Sequence, residues 1–212
     1  MSTQDWNSYR KAFCQNAMKA AEAACSDEKR AEDDRDLDSG SDVIRMAGVI
    51  RESIVDGPGI RFVVFCQGCP HHCAGCHNEA THDFHGGSDC SISKILKAVD
   101  ENPLLDGVTF SGGEPMCQPE AFYHLAVEIK KRNLNIITYT GYTYEELLKL
   151  GETRPAILKL MDLTDLLIDG PFRIEERDLS LLFRGSRNQR VIDMNQTRSQ
   201  GKLILAEKYE KS

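Results

Sequence analysis

From Cys66 to Asn78 the chain reads CQGCPHHCAGCHN, which puts Cys66, Cys69, Cys73 and Cys76 within eleven residues. Thiolates at that density are soft metal ligands or redox nucleophiles. Several chemistries compete for them. Four thiolates could close a tetrahedral zinc site, but structural zinc sites usually use two knuckles separated by a longer loop. Cys73-Ala-Gly-Cys76-His77 matches the C-x-x-C-H of c-type haem attachment, which normally follows export. A thioredoxin-like C-x-x-C pair leaves Cys69 unexplained. The ferredoxin order C-x2-C-x2-C-x3-C-P is not met. Cys69-x3-Cys73-x2-Cys76 instead offers three thiolates for an iron–sulfur cubane, leaving one iron open, and an open metal position marks a catalytic centre. Cys66 ends an apolar run and reads as a buried small residue. Spacing alone leaves these chemistries open.

Further motifs follow along the chain: Ser111-Gly-Gly-Glu-Pro115, Thr140-Gly-Tyr142 and Asp169-Gly-Pro-Phe172. Each has a plain reading. Gly112-Gly113 is a turn after a strand, Glu114 a solvated acid at a helix start, and Asp169-Gly170-Pro171 a turn. Tyr142 reads as a packing residue. His71 and His72 read as solvated loop residues, and His77 as a neighbour of a site rather than a metal ligand. Cys90 and Cys117 read as inert. What argues against the plain readings jointly is their order, each motif falling at the end of an expected strand.

The expected strands are Arg61–Cys66, Val108–Phe110, Asn135–Thr140 and Leu163–Ile168, with another starting at Val191–Asp193. Between them lie helical patterns: Ser93–Val99 with Ser93 as N-cap, Pro119–Lys131, and a helix to Leu150 opened by a Thr143/Glu146 capping box. Alternating strands and helices predict an α/β fold with a parallel sheet. About five to six βα units are too few for a complete eight-fold barrel, so an open, partial βα barrel is expected, with chemistry at the C-terminal strand ends.

The chain of 212 residues carries 41% hydrophobic and 28% charged residues, enough for a core and unlike collagen, a wholly disordered chain or a membrane protein. Lysine and arginine number 26 against 33 acids, a net charge of −7, which argues against binding nucleic acid through its phosphates. No apolar run approaches the ~20 residues of a membrane span. Met1–Lys11 has no apolar core segment, so a cytoplasmic, reducing location is expected. Asp27–Asp42 holds eight acids and three bases. Residues 1–42 therefore read as an acidic, mobile extension, 43–194 as the functional domain, and 195–212 as a C-terminal tail.

With Asp56-Gly-Pro-Gly-Ile-Arg61 ahead of the cysteines and Ser111-Gly-Gly-Glu-Pro115 behind them, the chain resembles the radical S-adenosylmethionine (SAM) enzymes, and among them the small activating enzymes of glycyl-radical enzymes. Thr140-Gly-Tyr142, Asp169-Gly-Pro-Phe172 and Asp178–Gln189 are closest to the activases of anaerobic (class III) ribonucleotide reductase; pyruvate formate-lyase activation is the alternative. Many radical SAM enzymes have an aromatic residue before the third cysteine. Gly75 stands here, as is common in the reductase activases. The resemblance implies that Cys69, Cys73 and Cys76 hold a [4Fe-4S] cluster whose open iron chelates SAM. It implies Gly112, Gly113 and Glu114 at the methionine part, with Glu114 pairing the ammonium, Gly75 and His77 on the adenosine side, and Thr140, Gly141 and Asp169 completing the pocket. The implied reaction is reductive cleavage of SAM to a 5′-deoxyadenosyl radical that takes hydrogen from a backbone glycine of the reductase. A flavodoxin or ferredoxin would supply the electron. Leu181–Gln189, with Arg184, Arg187 and Asn188, is the candidate docking face.

Overall fold

The computed structural model describes residues 42–209. The expected extension, apart from Asp42, lies outside the described residues, as do Cys14 and Cys25. Seven strands form one sheet in the order β3-β1-β2-β4-β5-β6-β7. They are β1 (Val43–Ser53), β2 (Arg61–Cys66), β3 (Ser88–Ser91), β4 (Gly107–Gly112), β5 (Asn135–Tyr139), β6 (Leu166–Asp169) and β7 (Arg190–Asp193). β2, β4, β5 and β6 run parallel, with Cys66 opposite Gly112, Phe110 opposite Thr138 and Tyr139 opposite Ile168. That pairing brings four C-terminal strand ends to one edge of the molecule.

Five helices accompany the sheet: α1 (Ile92–Asp100), α2 (Pro119–Lys131), α3 (Tyr144–Thr153), α4 (Ala156–Leu163) and α5 (Met194–Gln200). The alternation of side chains along a strand sorts the two faces. Phe62, Val64 and Cys66 of β2, Val108 and Phe110 of β4, Ile136 of β5 and Leu167 of β6 meet Ile95, Phe122, Leu125, Ile129 and Leu160 of the helices in one core. Burying each large side chain there contributes about 1.5–3 kcal/mol. β2 is buried at every position, as its continuous apolar run requires of a strand covered on both sides.

Several expectations are corrected. Three crossovers join the four parallel strands, fewer than five to six βα units, because β1, β3 and β7 pair antiparallel and flank the parallel block. The run expected as a strand over Leu163–Ile168 divides: Leu163 ends α4, and β6 starts at Leu166. The cap of α1 is Ser91, whose hydroxyl accepts the Lys94 N–H, not Ser93. The Thr143/Glu146 capping box is present in both directions. Residues 195–209, the described part of the expected tail 195–212, pack against α4 and β7. α5 follows β7 directly, Arg198 donates to the Met161 and Thr164 carbonyls, and Ala206 N–H bonds to Val191 beside a Leu205–Ile192 bridge.

The motif Asp56–Arg61 builds the opposite end of the sheet. Arg61 is wholly buried and all five of its N–H donors find acceptors. Nε donates to Thr109 Oγ1, Nη1 to the Pro58 carbonyl and Asn135 Oδ1, and Nη2 to the Val108 and Asn135 carbonyls. Burial still lowers its pKa to about 10. One side chain thus ties the starts of β2, β4 and β5. Because Lys has three donors on one atom, Arg61→Lys leaves buried acceptors unmet, each costing about 1–3 kcal/mol. Urea unfolding of this variant is expected to show a loss of about 3 kcal/mol with unchanged m-value.

Candidate functional site

Each parallel strand hands its chain to a loop at the same edge. After β2 the loop carrying the cysteines leaves the sheet and is tied at its base. Gly68 and Cys69 donate their N–H groups to the Thr81 and His82 carbonyls, and Gln67 Nε2 reaches the Asp83 carbonyl at 2.6 Å. Gln118, from the turn before α2, donates to the Arg45 and Gln67 carbonyls and fastens the loop to β1. After β4, Gly113 donates to the Cys66 carbonyl and Glu114 to the Gly68 carbonyl, both at 2.8 Å. A Cβ on Gly113 would lie well under 3 Å from that Gly68 carbonyl, so only glycine admits the approach.

Cys69 is buried and Cys73 and Cys76 are half-buried, with the Asn78 N–H 3.4 Å from the Cys76 sulfur. Burial pushes the Cys69 thiol up to about 11, and the neighbouring Glu114, Cys76 and Cys73 charges add to the rise. Burial also raises Cys76, with Cys73 again a contributor. Cys66 lies in the main core, its thiol pushed well up by complete burial, as expected of a packing residue. Cys90 is likewise buried. Cys117 is half-buried and pushed up to about 12 by burial, Glu114 and Cys69, which places it nearer the cysteine loop than its reading as inert suggested. Among the described residues, no three His, Cys, Asp or Glu side chains close around a single metal ion. Three thiols on one pinned loop, Cys69, Cys73 and Cys76, are nonetheless a suitable donor set for an iron–sulfur cluster, whose irons take thiolate ligands.

Glu114 is not a solvated acid. It is wholly buried, Oε1 accepting the Met116 N–H and Oε2 accepting the Gly141 N–H at 2.8 Å and the His71 imidazole at 2.9 Å. None of these donors is a lysine or arginine, so hydrogen bonds alone hold the buried carboxyl group in place. His71, read from sequence as a solvated loop residue, has a side chain only 15% exposed and stacks edge-on against Tyr142 with centroids 4.4 Å apart. The sequence signal was slight: a histidine inside a C-x3-C loop. Thr140 is buried, its hydroxyl accepting the Tyr142 N–H. Gly75, in the left-handed region, faces Ile174 and Phe172, and His77 lies 5.9 Å from the Phe172 ring.

Asp169 is also buried, but its partner is a guanidinium. Arg190 pairs with both of its carboxylate oxygens and with Glu145, and the Tyr144 N–H donates to Oδ2 at 2.8 Å. The two carboxylates hold the Arg190 pKa above its usual value. This ion pair lines a polar cleft of about 370 Å³ with Thr143, Arg173 and Asn188. No sequence motif marks Arg190. Of the candidate docking residues, Arg184 and Asn188 turn inward: Arg184 donates to the Gln189 and Tyr209 carbonyls and Asn188 to that of Pro171. Arg187 is exposed.

A family model described as a 4Fe-4S single cluster domain matches residues 55–192. The anaerobic ribonucleoside-triphosphate reductase-activating protein of Escherichia coli K12 is 33% identical over 149 residues, covering 65% of this chain and 91% of that protein. The chain belongs to the family of anaerobic ribonucleoside-triphosphate reductase-activating proteins. The Vibrio cholerae protein of the same name is 33% identical over 144 residues, covering 64% of this chain and 89% of its own. The pyruvate formate-lyase-activating enzyme of Clostridium pasteurianum is 40% identical over 114 residues, half of this chain and 48% of that enzyme. The span matched by the family model runs from ahead of the Asp56–Arg61 motif into β7, so it contains all four parallel strand ends.

A thiol raised to about 11 is protonated at neutral pH, and metal binding must displace its proton. In cluster-free protein, alkylation of Cys69 by iodoacetamide is therefore expected to accelerate with pH and reach half its plateau near pH 11. A half-point at or below 9 would contradict the burial.

Proposed function

We propose that this protein is a radical SAM activating enzyme that installs the glycyl radical on an anaerobic ribonucleoside-triphosphate reductase. The observation that carries this reading is the match to the Escherichia coli K12 reductase-activating protein over 91% of its length, together with a 4Fe-4S family model whose span, residues 55–192, holds both the cysteine loop and the Gly112-Gly113-Glu114 turn. Cys69, Cys73 and Cys76 are the ligands of a [4Fe-4S] cluster in this reading. A [4Fe-4S] cluster held there would supply the single electron for reductive cleavage of SAM, and a low-potential donor would restore it.

The chain supplies ligation, orientation and exclusion of water. Glu114 presents a buried negative charge to the cationic end of SAM, while Gly112 and Gly113 let backbone approach the methionine part. Gly75 and His77 flank the adenosine, backed by Phe172. Thr140 and Gly141 form the wall at β5, and Asp169, fixed by Arg190, forms the wall at β6. Residues 43–194 form the activase domain in this reading, with 195–209 packed onto it, and the sheet is the wall of an open, partial βα barrel. The working location is the cytoplasm, with a low-potential flavodoxin or ferredoxin as electron donor. The 40% identity to a pyruvate formate-lyase-activating enzyme supports a second reading, in which the partner is a formate-lyase-type glycyl-radical enzyme.

The test is electron paramagnetic resonance of anaerobically reconstituted, reduced protein. A [4Fe-4S]⁺ signal that changes when SAM is added is the expected result, and a signal indifferent to SAM would reduce the protein to an electron carrier. Mixing with each partner, with SAM and reductant, then shows which one acquires a glycyl-radical doublet. Cys73→Ala is expected to abolish SAM cleavage, measured as 5′-deoxyadenosine released, while Cys66→Ala retains it. Equal loss in both would mean a different ligand set.

A further inference from the structure

His71 is the middle residue of the Cys69-x3-Cys73 spacer, so its backbone moves with two of the proposed ligands. Its side chain leaves that loop and ends on another strand's carboxylate, with Nε2 2.9 Å from Glu114 Oε2. A carboxylate only accepts, so Nε2 carries the hydrogen. The same oxygen takes the Gly141 N–H at 2.8 Å. One atom therefore gathers the loop after β2, the turn after β4 and the turn after β5. The ring is also wedged. Tyr142 closes on one side, and a Cβ on Gly141 would lie under 3 Å from the imidazole. Glu114 has three rotatable bonds, and two of its three donors, His71 and Gly141, come from outside its own turn.

We infer that His71 is a positioning residue for SAM: its imidazole N–H fixes the Glu114 carboxylate in the orientation that receives the cationic end of the substrate, and registers that carboxylate to the cysteine loop. The inference rests on the functional reading above. Displacing a substrate-orienting group by about 1 Å can cost on the order of 100-fold. Losing one charge-assisted hydrogen bond while two remain is expected to cost about tenfold in affinity.

The experiment compares reconstituted wild-type protein with His71→Leu, which fills the slot without a donor, and His71→Gln, whose amide N–H can replace Nε2. Iron per chain, melting temperature and the SAM dissociation constant by equilibrium dialysis are read for each. Expected is at least a tenfold weaker SAM affinity in H71L, with iron content unchanged and the protein still folded at the assay temperature, and recovery to within about threefold of wild type in H71Q. Wild-type affinity in H71L overturns the inference while leaving the functional reading intact. Loss of iron from H71L also overturns it, making His71 a residue that shapes the ligand loop. Weak binding in both variants overturns the hydrogen-bond role. Failure of wild-type protein to bind SAM sinks the functional reading itself.

Discussion

Two backbone hydrogen bonds, Gly113 to Cys66 and Glu114 to Gly68, carry the β2–β4 pairing past the ends of both strands and onto the first residues of the cysteine loop. The loop has no helix or strand of its own over Cys69–Cys76, so its position is inherited from this extension. The same contact turns Glu114 inward, where it can reach the turn after β5. Side chains at residues 112 and 113 would collide with the backbone of β2 and its loop, which is why two glycines precede the acid. The site is thus an extension of a parallel ladder, and its accuracy is that of the sheet.

The two ends of that sheet are built from different physics. At one end Arg61 satisfies every donor inside the protein and closes the starts of three strands, an arrangement with no free chemistry left. At the other end Glu114 and Asp169 are buried acids held in opposite ways, one by neutral or imidazole donors and one by a guanidinium. A buried carboxylate without a lysine or arginine beside it favours an incoming cation, whereas one already paired serves better as a wall.

Much of this was legible in residue order. Pro119–Lys131 was bounded correctly because proline at the start and an apolar stripe mark a helix strongly, and the Thr143/Glu146 box is a local signal needing no tertiary context. β1 escaped notice because its register shifts between Met46 and Gly48 and between Ile50 and Ser53, which breaks the alternation that betrays a strand. The Leu163–Ile168 run misled because the apolar residues of α4 lead into those of β6 with only Thr164 and Asp165 between. The cysteines and glycine motifs stand out by type and spacing. His71 does not, because its partners lie 43 and 71 residues away and meet it only once β4 and β5 are in register.

The segment after α5 returns to β7, where Ala206 and Leu205 pair with Val191 and Ile192, and Arg184 holds the Tyr209 carbonyl. The strand that carries Arg190 and holds Asp169 is therefore backed by residues made well after the cysteine loop. At elongation rates of roughly 5–20 residues per second, the cysteine loop emerges about ten seconds before that staple can form. For that interval the cysteine loop exists without the segment that backs β7 and the Arg190–Asp169 pair.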